Sequence, residues 1–237
     1  MDRDYGEPSR VWPVFMGLLL FLGAAQCALV LVHVWDSPVD RAIMGMGTSL
    51  FVVWVLLGGA VMRHQRERVR HWTARASWPA PVVFSVFATG LALTEEAITV
   101  TLTNMAPLFG VAKGEAFITA SANYLEVVLL HSVVVFAPMF VAWGFLLRRY
   151  AVPPRWVFLL FGVTGVLAET MAFGPRSLLA FGLWIPVYGL LVYLPAYCYR
   201  PPKPRIPFRP WCVPLAVFLP ILAAMPVVAA LLALRGD

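Results

Sequence analysis

Apolar positions gather into seven long runs, at 11–34, 42–62, 80–103, 119–147, 156–173, 177–198 and 211–234, with polar or proline-rich stretches between them. A helix rises about 1.5 Å per residue and needs roughly 20 apolar residues to cross a bilayer. Each run is near or above that length. The pattern therefore predicts an all-α, polytopic transmembrane bundle of about seven spans, one integral membrane domain over 1–237. The first run is longer than the roughly 7–15 apolar residues of a signal peptide. The segment before it, Asp2–Arg10, carries more acids than bases. Both features predict that this run is a retained span.

The interruptions are informative. The stretch 199–210, YRPPKPRIPFRP, cannot be helical, because proline lacks an amide donor and disfavours helix in the residue before it. The stretch 104–121 is apolar for a loop and is expected to dip inward as a short helix or re-entrant turn, which is tolerated only against protein or a wet cavity. In run 5, Gly162, Gly165 and Glu169 share one helical face. Small residues let helices approach closely in lipid, so that face is expected to meet another helix. Run 6 holds Pro186 and Pro195 and is expected to kink.

Composition agrees with this pattern. Of the 237 residues, 61% are hydrophobic and 13% charged, and the mean hydropathy is +0.80. Soluble domains are about 45–50% apolar and about 25% charged. The net charge of +6 arises from arginines between the runs, so it reads as membrane topology and not as nucleic-acid binding. Alternation puts Arg3, Arg10, the arginines at 63–75, Arg148, Arg149, Arg155 and Arg200, Lys203, Arg205 and Arg209 on one side, 14 of the 18 basic residues. The positive-inside rule then predicts the N-terminus in the cytoplasm and the C-terminus outside, in a multi-pass protein of the cell membrane, a bacterial inner membrane by this pattern. Cys27, Cys198 and Cys212 form no metal-ligand spacing and read as small apolar residues.

Four of the twelve acids fall within runs: Glu95, Glu96, Glu126 and Glu169. No Lys or Arg lies within a run interior. The ionisable residue nearest in depth is His131. An ionisable group at a span centre costs roughly 2.5–3.5 kcal/mol. Four carboxyls without a basic partner must therefore be protonated, hydrated or bound to a cation, and each state points to function. Counted from the outer ends of the runs, Glu95 and Glu96 lie about 12 Å deep, Glu126 about 10 Å, Glu169 about 6 Å and His131 about 18 Å. Three helices thus offer carboxylates to one layer. Glu126 and His131 stand about 140° apart on a continuous helix. Glu95, Glu96, Glu126, His131 and Glu169 are the candidate catalytic groups. Thr99, Thr103, Asn104 and Asn123 are the candidate substrate-binding groups beside them.

Carboxylate with imidazole suits zinc, iron or manganese, but neither HExxH nor paired ExxH is present. No GxSxG, Walker or Rossmann pattern occurs either. A metal-free pair, with one carboxyl protonated as acid and its neighbour ionised, fits the same residues. The stretch Leu93-Thr94-Glu95-Glu96-Ala97-Ile98-Thr99-Val100-Thr101-Leu102-Thr103-Asn104, followed by Phe109-Gly110, resembles the acidic helix of the small membrane lycopene cyclases of carotenoid biosynthesis. That family has Pro-x-Glu-Glu, an aromatic-rich turn and Thr-Asn. This chain has Leu93 in place of the proline, and Ala97, Thr99 and Val100 in place of aromatics. The likeness covers about 18 residues, and Glu169-Thr170 stands where a second copy is expected. It implies that Glu95 and Glu96 protonate a polyene and start ring closure without a redox change. A double glutamate also opens the first motif of the CAAX-type intramembrane proteases, but Val100 replaces their arginine and no FxxxH follows.

Three functions are consistent with these residues. The first is an acid–base enzyme acting on a hydrophobic isoprenoid or lipid. The second is a proton- or cation-coupled transporter, whose glutamates would titrate during transport. The third is a membrane scaffold without chemistry. The partners implied are membrane lipids and a hydrophobic small molecule or an ion.

Overall fold

The computed structural model describes residues 11–200 and 205–235. Arg3, Arg10 and Lys203, which entered the charge balance, lie outside them. Helix α1 (Val11–His33) fills the first run. Helix α2 (Pro38–Leu50) starts at Ser37, whose side chain caps the Asp40 N–H, with proline in the first turn where no amide donor is required. It runs through a π-helical stretch (Phe51–Gly58) into α3 (Gly59–Thr73). The result is one rod of 36 residues, Pro38–Thr73, about 54 Å long. The arginine-rich stretch from 63 to 73, which hydropathy assigns to a loop, is thus helical. Arg, Gln and Glu favour helix, and no Gly or Pro interrupts it.

Helix α4 (Ala80–Asn104) carries run 3. Run 4 is not one helix. It starts later, at α5 (Tyr124–Leu130), where Asn123 Oδ1 accepts the Leu125 and Glu126 N–H groups. It then breaks before α6 (Val133–Arg149) with a 45° bend. The N–H and hydroxyl of Ser132 both bond to the Val127 carbonyl, which closes α5 instead of continuing its ladder. Helix α7 (Pro154–Phe173) carries run 5. A 3₁₀ turn (Pro175–Ala180) leads into α8 (Phe181–Cys198), and α9 (Val213–Arg235) ends the fold. The proline-rich connector is non-helical at 199–200 and 205–209. Ile206–Pro207 there pairs in parallel with Tyr150–Ala151.

Among the described residues, five helices are long and apolar enough to cross a membrane: α1, the α2–α3 rod, α4, α8 with its leading turn, and α9 with its own. There are six if the bent α5–α6 pair is one span. Helix α7, 20 residues long, is not among these candidate spans.

Helix α8 is the inner one. The share of its apolar window that is buried is 61%, against 17% for α1 and 22% for α9. It packs on α7, α1, α4 and α3. Glycine makes these approaches possible. Gly162 and Gly165 of α7 lie against Ile185 and Tyr188, and Gly189 of α8 lies against Phe158. Gly23 of α1 crosses Gly182, whose N–H donates to Gln26 Oε1 at 3.1 Å. The Trp54 indole N–H donates to the Val187 carbonyl at 3.1 Å, tying the π-helical stretch to α8. The Thr164 hydroxyl donates to the Val217 carbonyl at 3.2 Å and joins α7 to α9.

Candidate functional site

Glu95 and Glu96 are adjacent on α4, and both are buried, 4% and 6% exposed. Consecutive helical residues point about 100° apart, so burying both takes cover on more than one side; α4 packs on α6 and α8, and Thr119 reaches Glu96. Glu96 Oε2 accepts the Thr99 hydroxyl at 3.0 Å and the Thr119 hydroxyl at 3.3 Å. Thr119 belongs to the apolar segment after α4, which does fold inward. A 3₁₀ turn (Ala106–Phe109) ends at Gly110, whose φ of 90° is open to glycine. The chain then returns along α4. The Ile118 N–H donates to Thr103 Oγ1 at 3.3 Å, and Asn104 Nδ2 donates to the Ala122 carbonyl at 2.9 Å. Thr103 and Asn104 therefore hold this segment over the acidic part of α4, while Thr99 bonds within the helix, to Glu95 and Glu96.

Glu169 comes from α7 and is partly buried. Its Oε1 accepts the phenol of Tyr188 on α8. The Tyr188 ring covers Gly165, stacks on Trp184 with 5.7 Å between centroids, and meets Phe136 edge-on at 5.7 Å. Glu95, Glu96 and Glu169 lie within electrostatic reach of one another, and Tyr188 within reach of all three. Among the described residues, no Lys or Arg pairs with any of these carboxyls. Among the described residues, no hydrogen bond reaches the Glu95 carboxyl.

Glu126 and His131 stand apart from this group. Glu126 is exposed on α5, its Oε2 accepts the Ser121 hydroxyl at 2.8 Å, and its Oε1 lies 3.8 Å from His131 Nε2. A straight helix would have separated these two side chains. The break after Leu130, with His131 at φ −133° and ψ −80°, brings them together. Asn123 is spent as the cap of α5.

Two members of the buried group escaped the sequence reading. Thr119 sits in a segment without periodicity, so nothing local marks it. Tyr188 is one of several tyrosines in run 6 and nothing next to it in the sequence marks it out. Its signal lay on the partner helix: Gly165 leaves room for a ring one turn before a carboxyl that needs a donor. Among the described residues, no three His, Cys, Asp or Glu side chains converge as metal ligands do. Comparison with protein families, with curated proteins and with solved structures gave no match for the chain.

Proposed function

We propose that the chain crosses the membrane seven times with its N-terminus in the cytoplasm, and that Glu95, Glu96 and Glu169, with Tyr188, form an acid–base site acting on a hydrophobic isoprenoid or lipid. The observation that carries this reading is the gathering of three carboxyls from two helices, without a basic partner, beside a phenol. Topology has its own support. Arginines from three separate connections meet at one end of the bundle: Arg70 and Arg200 near Cys198, Arg148 and Arg205 near Tyr199. Glu95 is 15 residues along α4 from that end, about 22 Å.

In this reading a protonated carboxyl gives its proton to a carbon–carbon double bond. The carbocation so formed is stabilised by a neighbouring carboxylate. It closes on a second double bond, or shifts, and loses a proton to a carboxylate. The elemental composition of the substrate is unchanged, and no electron acceptor is consumed. The likeness of Leu93–Asn104 to the lycopene cyclase helix agrees with this chemistry.

The test is incubation of membranes containing the protein with acyclic polyenes in heavy water. The expected product keeps the substrate's composition except for deuterium gained at carbon, and Glu95→Gln and Glu96→Gln each lower the rate by about 10²-fold or more. A wild type that puts no deuterium into any substrate, or glutamine variants as active as the parent, would overturn the assignment.

A further inference from the structure

A cleft of about 490 Å³ opens at the arginine-rich end, between the start of α4 and the end of α8. This is within the roughly 300–1,000 Å³ range of ligand pockets. Its lining on α4 runs from Ala80 to Phe87 and ends eight residues, about 12 Å, before Glu95, and the cleft does not rest on the reading of the acidic site. One wall is apolar, with Val83, Phe84 and Phe87 on successive turns of α4. At the rim stand Arg148, in the last turn of α6, and Arg200, just past α8. Both are exposed, and neither forms an ion pair among the described residues.

Two more arginines add positive potential without being available as first contacts. Arg70 is held by Glu67 at 3.0 Å. Arg205 donates to the Leu147 and Tyr150 carbonyls at 3.2 and 3.4 Å. Glu67, an acid of this end, is already engaged by Arg70, Arg66 and the Tyr197 phenol. Tyr199 also lines the cleft; its phenol donates to the Gly144 carbonyl at 3.5 Å and, pushed up to about 12 by burial, stays neutral at physiological pH. Trp78, 60% exposed at the lip, is the residue type that settles at headgroup level.

We infer that this cleft is a binding site for an anionic phospholipid, its phosphate between Arg148 and Arg200 and an acyl chain along Val83, Phe84 and Phe87. Charge complementarity selects the occupant. A zwitterionic lipid would bring an ammonium to a rim with no free carboxylate. A soluble phosphate would leave the apolar wall uncovered. Guanidinium groups suit phosphate by their forked geometry, and basic residues at the cytoplasmic ends of spans attract anionic headgroups.

The experiment titrates the purified, detergent-solubilised protein with phosphatidylglycerol, phosphatidylcholine and inorganic phosphate, and reads bound lipid by native mass spectrometry. Phosphatidylglycerol is expected to bind at least about tenfold more tightly than phosphatidylcholine. The double variant Arg148→Gln/Arg200→Gln should lose that preference at an unchanged melting temperature. Val83→Trp fills the apolar wall without touching either arginine and should weaken phosphatidylglycerol as well. Equal binding of the two lipids by the wild type would overturn the inference. So would an undiminished preference in Arg148→Gln/Arg200→Gln, an undiminished phosphatidylglycerol affinity in Val83→Trp, or competition by inorganic phosphate at concentrations comparable to the lipid's.

Discussion

The phenol of Tyr188 on α8 donates to the carboxyl of Glu169 on α7, and the same ring lies over Gly165, one turn earlier on α7. Packing and polar contact are therefore one arrangement. A Cβ at Gly165 would fall inside the ring of Tyr188, so the ring could not stay and still reach Glu169. Gly165→Ala should cost about 1–3 kcal/mol through overpacking. Adding Tyr188→Ala should remove most of that extra cost, a non-additivity readable in denaturant or thermal unfolding of the four variants. Purely additive losses would show that the ring and the glycine do not meet.

Glu96→Gln keeps the size of the side chain and its capacity to accept the Thr99 and Thr119 hydroxyls. The variant should fold, with a melting temperature close to the parent's, and lose activity. If the carboxyl only packs, the variant will be folded and fully active, and the acid–base assignment loses its main support.

The two threonines act on the same oxygen, Glu96 Oε2. Thr99→Val and Thr119→Val should each cost about 1 kcal/mol. Each should also shift the carboxyl band that Glu96→Gln deletes from the infrared difference spectrum, because each removes one donor. A band unmoved by Thr119→Val would mean that the segment after α4 does not reach the acid.

Topology can be read by single-cysteine labelling. The native Cys27, Cys198 and Cys212 are buried, so background labelling should be low. Cysteines at Arg68 and Arg205 should react only with reagents on the cytoplasmic side, and one at Lys113 only from outside. Labelling of position 113 from the cytoplasm would invert the proposed orientation.

Much of this architecture is legible in the sequence because lipid leaves hydropathy few outcomes. The gathering of Glu95, Glu96 and Glu169 follows from shared depth, and the Gly162–Gly165–Glu169 face from helical spacing. What escapes comes from effects that hydropathy does not encode. Residues 63–73 are too charged to read as a span, yet their helix propensity extends α3. The break after Leu130 depends on where the Ser132 amide and hydroxyl find an acceptor. It sets His131 beside Glu126, which a continuous helix would hold on different faces. Thr119 reaches Glu96 only because Gly110 turns the chain back, which makes it a tertiary contact with no local trace.

The inner position of α8 also constrains the order of assembly. The helix is made after α1 to α7, yet it packs against α1, α3, α4 and α7. Until it arrives, the glycines of α7 face a slot with nothing in it, and Glu169 waits without its phenol. During synthesis, three carboxyls therefore share an unfinished bundle that must admit water or hold them uncharged, and the arrival of one proline-bearing helix closes the core and completes the polar site together.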